Sequence, residues 1–192
     1  MTHLRPWRPE DAPALVDAWT VSADLGPQTG DADLGEVGAA RAFIEQHLLQ
    51  PAGPGPASSR NWAVDVDGTA VGNIGLSAIE HRHGTAWTYY WLSAPVRGRG
   101  VAARGLAAVA AWAFEQGLFR LELGHRTNNP PSCGVATRAG FLAEGIERQK
   151  LRYGQDRYDV ELHARLATDP APDLRLLPLR GLPADATAHA RT

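Results

Sequence analysis

The sequence predicts an α+β fold built on a mixed, mostly antiparallel sheet of six to seven strands with about four helices. Three observations carry this. Residues 62–92 hold three β-prone runs separated by short turns, the pattern of an antiparallel meander. Runs 87–92 and 118–124 are joined through an alanine-rich helical stretch, and a crossover of that length makes the two strands parallel. Two last β-prone runs, 141–153 and 157–166, meet across Gly154-Gln155 as a closing hairpin.

In chain order, residues 4–7 read as a short first strand. Arg8-Pro9-Glu10-Asp11-Ala12 reads as a helix start, because acidic residues favour the first turn and Leu15, Val16 and Trp19 follow at helical spacing. Residues 21–36, rich in Asp and Gly, are loop; Ala40, Phe43, Ile44 and Leu48 mark a second helix over 37–49. Residues 50–59, with three prolines and two glycines, predict a mobile surface loop. Run 62–66 alternates, Asp67-Gly68 is a hairpin turn, and 70–79 returns as the partner strand. A polar turn with His81 and His83 leads to strand 87–92. The central helix begins at Gly100 or Val101, sets Ala102, Leu106, Val109 and Ala113 on one face, and ends at Gly117. Pro130 or Pro131 opens a short helix through Ala139.

At 192 residues the chain suits one domain, residues 1–167, followed by a Pro/Ala-rich tail, 168–192. Within the tail, 174–179 is placed as an extended segment against the body and 183–192 as disordered. A net charge of -2 leaves no basic footprint for nucleic acid. The one cysteine, Cys133, excludes an intrachain disulfide, and no apolar run is long enough for a membrane span or signal peptide. A cytoplasmic location with no membrane partner is the expectation.

Chemistry centres on Ser93-Ala94-Pro95-Val96-Arg97-Gly98-Arg99-Gly100-Val101-Ala102, the loop between strand 87–92 and the central helix. Its glycines let backbone approach a ligand, and it opens into a helix N-terminus, where outward N–H groups and the dipole favour a diphosphate. Arg97, Arg99 and Arg104 add full charges. The same residues also describe a plain strand-to-helix turn with solvated arginines. Neither the dinucleotide fingerprint nor the P-loop fits, because the third glycine and the Gly-Lys-Ser/Thr are missing.

Arg97-x-x-Gly100-x-Ala102 resembles the acyl-CoA signature of the GCN5-related N-acetyltransferase (GNAT) superfamily. Tyr90-Trp91-Leu92, Asn129-Pro130-Pro131-Ser132, Ala139-Gly140-Phe141 and Glu144-Gly145 resemble, in order, landmarks of its RimJ/RimL-type branch. The likeness covers roughly residues 3–168. It implies the GNAT fold, α/β/α layers with a splayed parallel pair at the sheet centre, and an acyltransferase moving acetyl from acetyl-CoA to a primary amine, with CoA as product and no metal. The implied acceptor is a protein or peptide N-terminal α-amine or a small amine such as an antibiotic; a homodimer is allowed. The implied cofactor residues are Trp91, Leu92, Arg97, Gly98, Arg99, Gly100, Val101, Ala102, Asn129 and Ser132.

Ser132, or else water, is the candidate proton donor to the leaving thiolate, because a hydroxyl proton moves only as charge develops on sulfur. The tyrosine that many members carry four positions later is Ala136 here. Asn129 is also an ordinary helix cap and Ser132 an ordinary first-turn serine; Cys133 reads as an inert buried thiol. Where the family often has a carboxylate on the central strand this chain has Trp87, and Tyr89 replaces the usual glycine. These two are candidates for an acceptor wall, or core. Glu80 and His83 are the named candidates for the catalytic base, beside His81, Glu122 and a water chain. The departures motivate an alternative, a non-catalytic acyl-CoA-binding or regulatory module.

Overall fold

A computed structural model describes residues 1–30, 32–49 and 59–181. Seven strands form one sheet: β1 (Thr2–Arg5), β2 (Arg60–Val66), β3 (Thr69–Glu80), β4 (Thr85–Leu92), β5 (Arg120–Arg126), β6 (Leu142–Tyr153) and β7 (Asp156–Leu166), in the spatial order β1-β2-β3-β4-β5-β7-β6. Among the described strands only β4 and β5 form a parallel ladder, as the crossover requires. Four α-helices accompany them: α1 (Ala12–Thr20), α2 (Val37–Phe43), α3 (Val101–Glu115) and α4 (Pro130–Arg138).

Three details differ from the sequence expectation. The first strand, expected at 4–7, spans Thr2–Arg5 and ends before Pro6, which has no N–H for a ladder. The second helix changes winding after Phe43 and finishes as a π-helical turn, Ile44–Leu48. The strand expected from 118 begins at Arg120 instead, because Phe119 and Arg120 both donate their N–H groups to the Gly84 carbonyl and form a turn there. The expected loop 50–59 lies almost wholly outside the described residues, as does 183–192. Among the described residues no helix is long and apolar enough to cross a membrane.

The sheet separates two apolar layers, because successive strand side chains alternate between faces. α3 and α4 cover one face with Ile74, Leu76, Leu92, Leu106, Leu121 and Phe141; α1 and α2 cover the other with Trp7, Leu15, Ile44, Ala63 and Trp91. α3 lies close to β3, since a Cβ on Gly105 would stand 3.2 Å from Ile74 Cγ1. Its row of buried alanines permits that approach. Segment 174–179 runs beside β1, where Leu4 donates to the Pro178 carbonyl and Arg180 to Leu4, and buried Leu177 joins the α3 layer.

A buried ion network fixes the entry to α1. Arg5 donates two bonds of 2.7 Å to Asp11 and one of 2.7 Å, through Nε, to Asp65. Burial alone would raise the Asp65 carboxyl, but the Arg5 bond and the Gly68 N–H outweigh it and hold the pKa below the ordinary 3.8. A depressed folded value adds stability above about pH 4 that is lost as pH falls through it. Acid unfolding of Asp65→Asn, followed by circular dichroism, is therefore expected to lack part of the wild-type stability loss below pH 4.

Candidate active site

β4 and β5 are hydrogen-bonded partners only at Thr85↔Arg120, Ala86↔Leu121 and Trp87↔Glu122. Beyond that point β4 continues to Leu92 and β5 to Arg126 with no ladder between them, and the Thr88 hydroxyl donates to the Glu122 carbonyl at 3.1 Å at the fork. The edge of β4 from 88 to 92 that faces β5 is thus left without strand partners. Such an edge needs other polar groups to satisfy it.

The glycine loop lies at the C-terminal end of that edge. Gly98 (φ +76°) and Gly100 (φ +72°) are left-handed, and nothing stands within 4 Å of where either Cβ would be. Gly100 is the N-cap of α3 without a side-chain cap, and among the described residues no acceptor takes the N–H groups of 98–103. A preformed concavity of free donors at a helix start fits a diphosphate. It is anchored from behind: Ser22 Oγ accepts the Ala94 N–H, and Arg97 donates to both Asp24 oxygens at 3.0 and 2.9 Å and to the Leu92 carbonyl.

Arg97 therefore staples the loop rather than offering its fork to a ligand, and Arg104 Nε is engaged by the Arg175 carbonyl. Arg99 is exposed and has no partner among the described residues. Trp91 and Leu92 have buried side chains in opposite layers, so only their main chain lies at the fork. Val101 and Ala102 likewise bury their side chains.

Asn129 caps α4 through the Ser132 N–H, at 3.4 Å. Ser132 Oγ lies 2.6 Å from the Tyr90 hydroxyl. Burial pushes the Tyr90 phenol up, the bond to Ser132 opposing it, so the phenol keeps its proton at neutral pH. The hydroxyl missing at Ala136, which is fully buried, is thus matched by a phenol from the strand opposite. Alternation along β4 was the available signal: Tyr90 shares the α3 face with Ala86 and Leu92.

On the other face, a cleft of about 410 Å³ is lined by Thr29, Phe43, His47, Asn73, Tyr89 and Trp91, among others. Tyr89 donates to Asn61 Oδ1 at 2.7 Å; Asn73 donates to the same oxygen at 2.9 Å and accepts from Trp7 Nε1 at 2.8 Å. Sequence reasoning missed Asn61, Asn73 and His47. Gly75 makes the arrangement possible, since it sits between Asn61 and Tyr89 across the strands and its Cβ would stand 2.4 Å from Tyr89 Cζ. Gly75→Ala is expected to cost about 1–3 kcal/mol in stability by overpacking. Thermal unfolding followed by circular dichroism would show it.

Trp87 lies on the cleft's side of the sheet, near Gly124 and under Lys150 Nζ at 5.2 Å. Glu80 and His83 are not brought to Ser132. Both Glu80 oxygens accept backbone N–H groups, from Arg82 and His83, in the β3–β4 turn. That turn ends at Gly84, six residues before Tyr90, about 20 Å along the strand. A turn of this composition caps itself with its own carboxylate, which is why the pair reads as reactive in sequence and is structural in space. Glu122, at the fork, is paired with Arg120 at 2.8 Å.

Residues 2–142 match the acetyltransferase (GNAT) domain family profile. The ribosomal-protein-serine acetyltransferase of Escherichia coli K12 is 36% identical over 98 residues, 50% of this chain and 54% of that protein, so the chain spans about half of that curated relative. RimL, a ribosomal-protein alpha-N-acetyltransferase solved with coenzyme A, superposes with a TM-score of 0.74 at 23% identity, covering 86% of this chain and 93% of that one. Mycobacterium smegmatis RimJ, solved with a CoA-disulfide, gives 0.71 at 24% identity, covering 86% and 82%. At these identities the two structures establish a shared fold. With a family match across most of its length, a seven-stranded sheet forked at its parallel pair and a glycine turn at that fork, the chain belongs to the GNAT acetyltransferase family.

Proposed function

We propose that this protein is an acetyl-CoA-dependent N-acetyltransferase whose acceptor is a primary amine, with a peptide or protein α-amine preferred. The observation that carries the reading is the fork after Trp87 and Glu122, which sets an unpaired strand edge between the free N–H groups of 98–103 and the Tyr90–Ser132 pair. Acetyl-CoA fits this frame: a diphosphate on the loop, amide-bearing pantetheine along 88–92, and an activated thioester at the end near Ser132. When bound, it supplies an acyl group already activated for attack by nitrogen.

The chain's own residues do the rest. N–H groups of 98–103 and exposed Arg99 hold the anion. The β4 main chain aligns the arm, and the Asn129 amide nitrogen, which has no partner among the described residues, can add a bond beyond its capping role. Either hydroxyl of the Tyr90–Ser132 pair can donate; with Tyr90, kept protonated by burial, as donor, the serine hydroxyl proton is left to face the departing thiolate. The amine enters from the opposite face, across Tyr89 and Trp91, with Trp87 beside it.

Among the described residues lining the cleft there is no carboxylate, and His47 offers an imidazole instead, which supports a weakly basic acceptor amine. An α-amine with a pKa near 8 is about a tenth neutral at pH 7, whereas a lysine amine near 10.4 is neutral less than about one part in a thousand. With an imidazole and no carboxylate among the described lining residues, the α-amine asks less of the site. Coenzyme A release measured against a free-N-terminus peptide, an Nα-blocked lysine peptide and a small polyamine is expected to be fastest with the first. Transfer to the lysine peptide alone would overturn the acceptor assignment, and no transfer to any amine despite coenzyme A binding would favour the non-catalytic reading.

A further inference from the structure

Outside the proposed active site, four side chains from three elements converge on one point between the sheet and α4. His125 on β5 faces Glu161 on β7 as its register partner, His163 lies two residues further along the same face, and Cys133 comes down from α4. The ligand atoms of all four lie within 4.8 Å of one another. His125 Nε2 is 3.1 Å from His163 Nε2, and Glu161 Oε2 is 3.2 and 3.1 Å from the two nitrogens.

Their hydrogen bonding shows why the cluster is unusual. His125 Nδ1 is 3.0 Å from the Arg126 carbonyl, and His163 Nδ1 is 3.4 Å from the Phe141 carbonyl. A carbonyl only accepts, so both Nδ1 atoms carry the proton, and in the neutral rings both Nε2 atoms present bare lone pairs. Two nitrogen lone pairs and a carboxylate oxygen then point at one another at 3.1–3.2 Å in a place where both histidines are buried. Three converging acceptors repel unless a shared proton or a metal ion lies between them. Imidazoles oriented through Nδ1–H to a carbonyl are also how proteins hold a metal-binding histidine in place.

We propose that His125, Cys133, Glu161 and His163 form a tetrahedral site for a divalent transition metal, with zinc the natural occupant. Two imidazoles and a thiolate select zinc-like ions over magnesium or calcium, which take oxygen. Bonds of about 2.0–2.3 Å to zinc imply ligand separations of about 3.3–3.8 Å, so the two nitrogens and the oxygen need open only slightly, and Cys133 needs to close by about 1 Å. Four protein ligands leave no open position, which makes the site structural. It ties the first turn of α4, and with it Ser132, to β5 and β7. The inference stands on these four residues alone and is independent of the acyl-transfer reading.

The test uses the full chain, stripped with a chelator and titrated with cobalt(II), which takes the same ligands as zinc and absorbs visible light. Expected are one ion per chain, the intense visible bands of tetrahedral cobalt, a thiolate-to-cobalt band in the near ultraviolet, and displacement of both by zinc. Cys133→Ser, a near-isosteric change at a half-buried position, should lose the thiolate band and weaken binding at least about 100-fold, as should His163→Gln. Should His163→Gln fail to fold, the wild-type spectrum and Cys133→Ser decide alone. Absence of saturable cobalt or zinc binding, a saturated spectrum without the thiolate band, or equal affinity in wild type and Cys133→Ser would overturn the site.

Discussion

Gly100→Glu is expected to lose coenzyme A binding while retaining its fold. Gly100 has φ +72° and nothing within 4 Å of where its Cβ would stand, so a side chain can be accommodated there, beside the free N–H groups. Two effects then act. The left-handed backbone costs any residue with a Cβ about 1–2 kcal/mol. A carboxylate placed about 4 Å from a phosphate charge is repelled by up to ~4 kcal/mol at an effective dielectric near 20, reduced by solvent and salt to about 2–3 kcal/mol at this exposed position. The second effect alone weakens binding about 30- to 150-fold. Gly100→Ala shares the strain and lacks the charge, so calorimetry on the pair separates the two: alanine is expected to bind measurably and glutamate not. Equal affinities for glutamate and wild type would remove the diphosphate from this loop.

Ser132→Ala is expected to lower kcat about 100-fold, the range for losing a positioned proton donor, with coenzyme A affinity within about threefold of wild type. Ser132 is a half-buried first-turn residue whose Oγ contacts Tyr90, so its removal leaves α4 capped by Asn129 and the fold intact. Tyr90→Phe tests the other half of the pair. If the phenol acts by directing the serine proton, it should lower kcat as well, and Tyr90→Phe with Ser132→Ala together should cost little more than Ser132→Ala alone. Fully additive losses would mean that the two hydroxyls act separately. An unchanged rate in Ser132→Ala would take that residue out of the chemistry.

Much of this frame is legible in the chain because it is set by local rules. The Asp67-Gly68 hairpin, the crossover between runs 87–92 and 118–124, and the glycines opening α3 each dictate their geometry within a few residues, and all stand where expected. What escaped was set across the sheet. Asn61, Asn73 and Tyr89 form one hydrogen-bonded chain only because Gly75 leaves room between neighbouring strands, and register is not visible in a single strand. Arg97 reads as a ligand arginine in sequence, but Asp24, 73 positions earlier, claims its fork. The His125–His163 pair is 38 residues apart and meets only through the β5–β7 pairing. Tyr90 was visible as part of an aromatic run; its contact with Ser132 required knowing that α4 lies over β4's α3-facing side.

The central claim is that coenzyme A is held at the fork of the sheet. Backbone amide resonances of the isotope-labelled protein, followed during titration with coenzyme A, test it most directly. The account predicts the largest shifts in residues 98–103 and 88–92, saturating together. Saturable binding that leaves both stretches unmoved would contradict it.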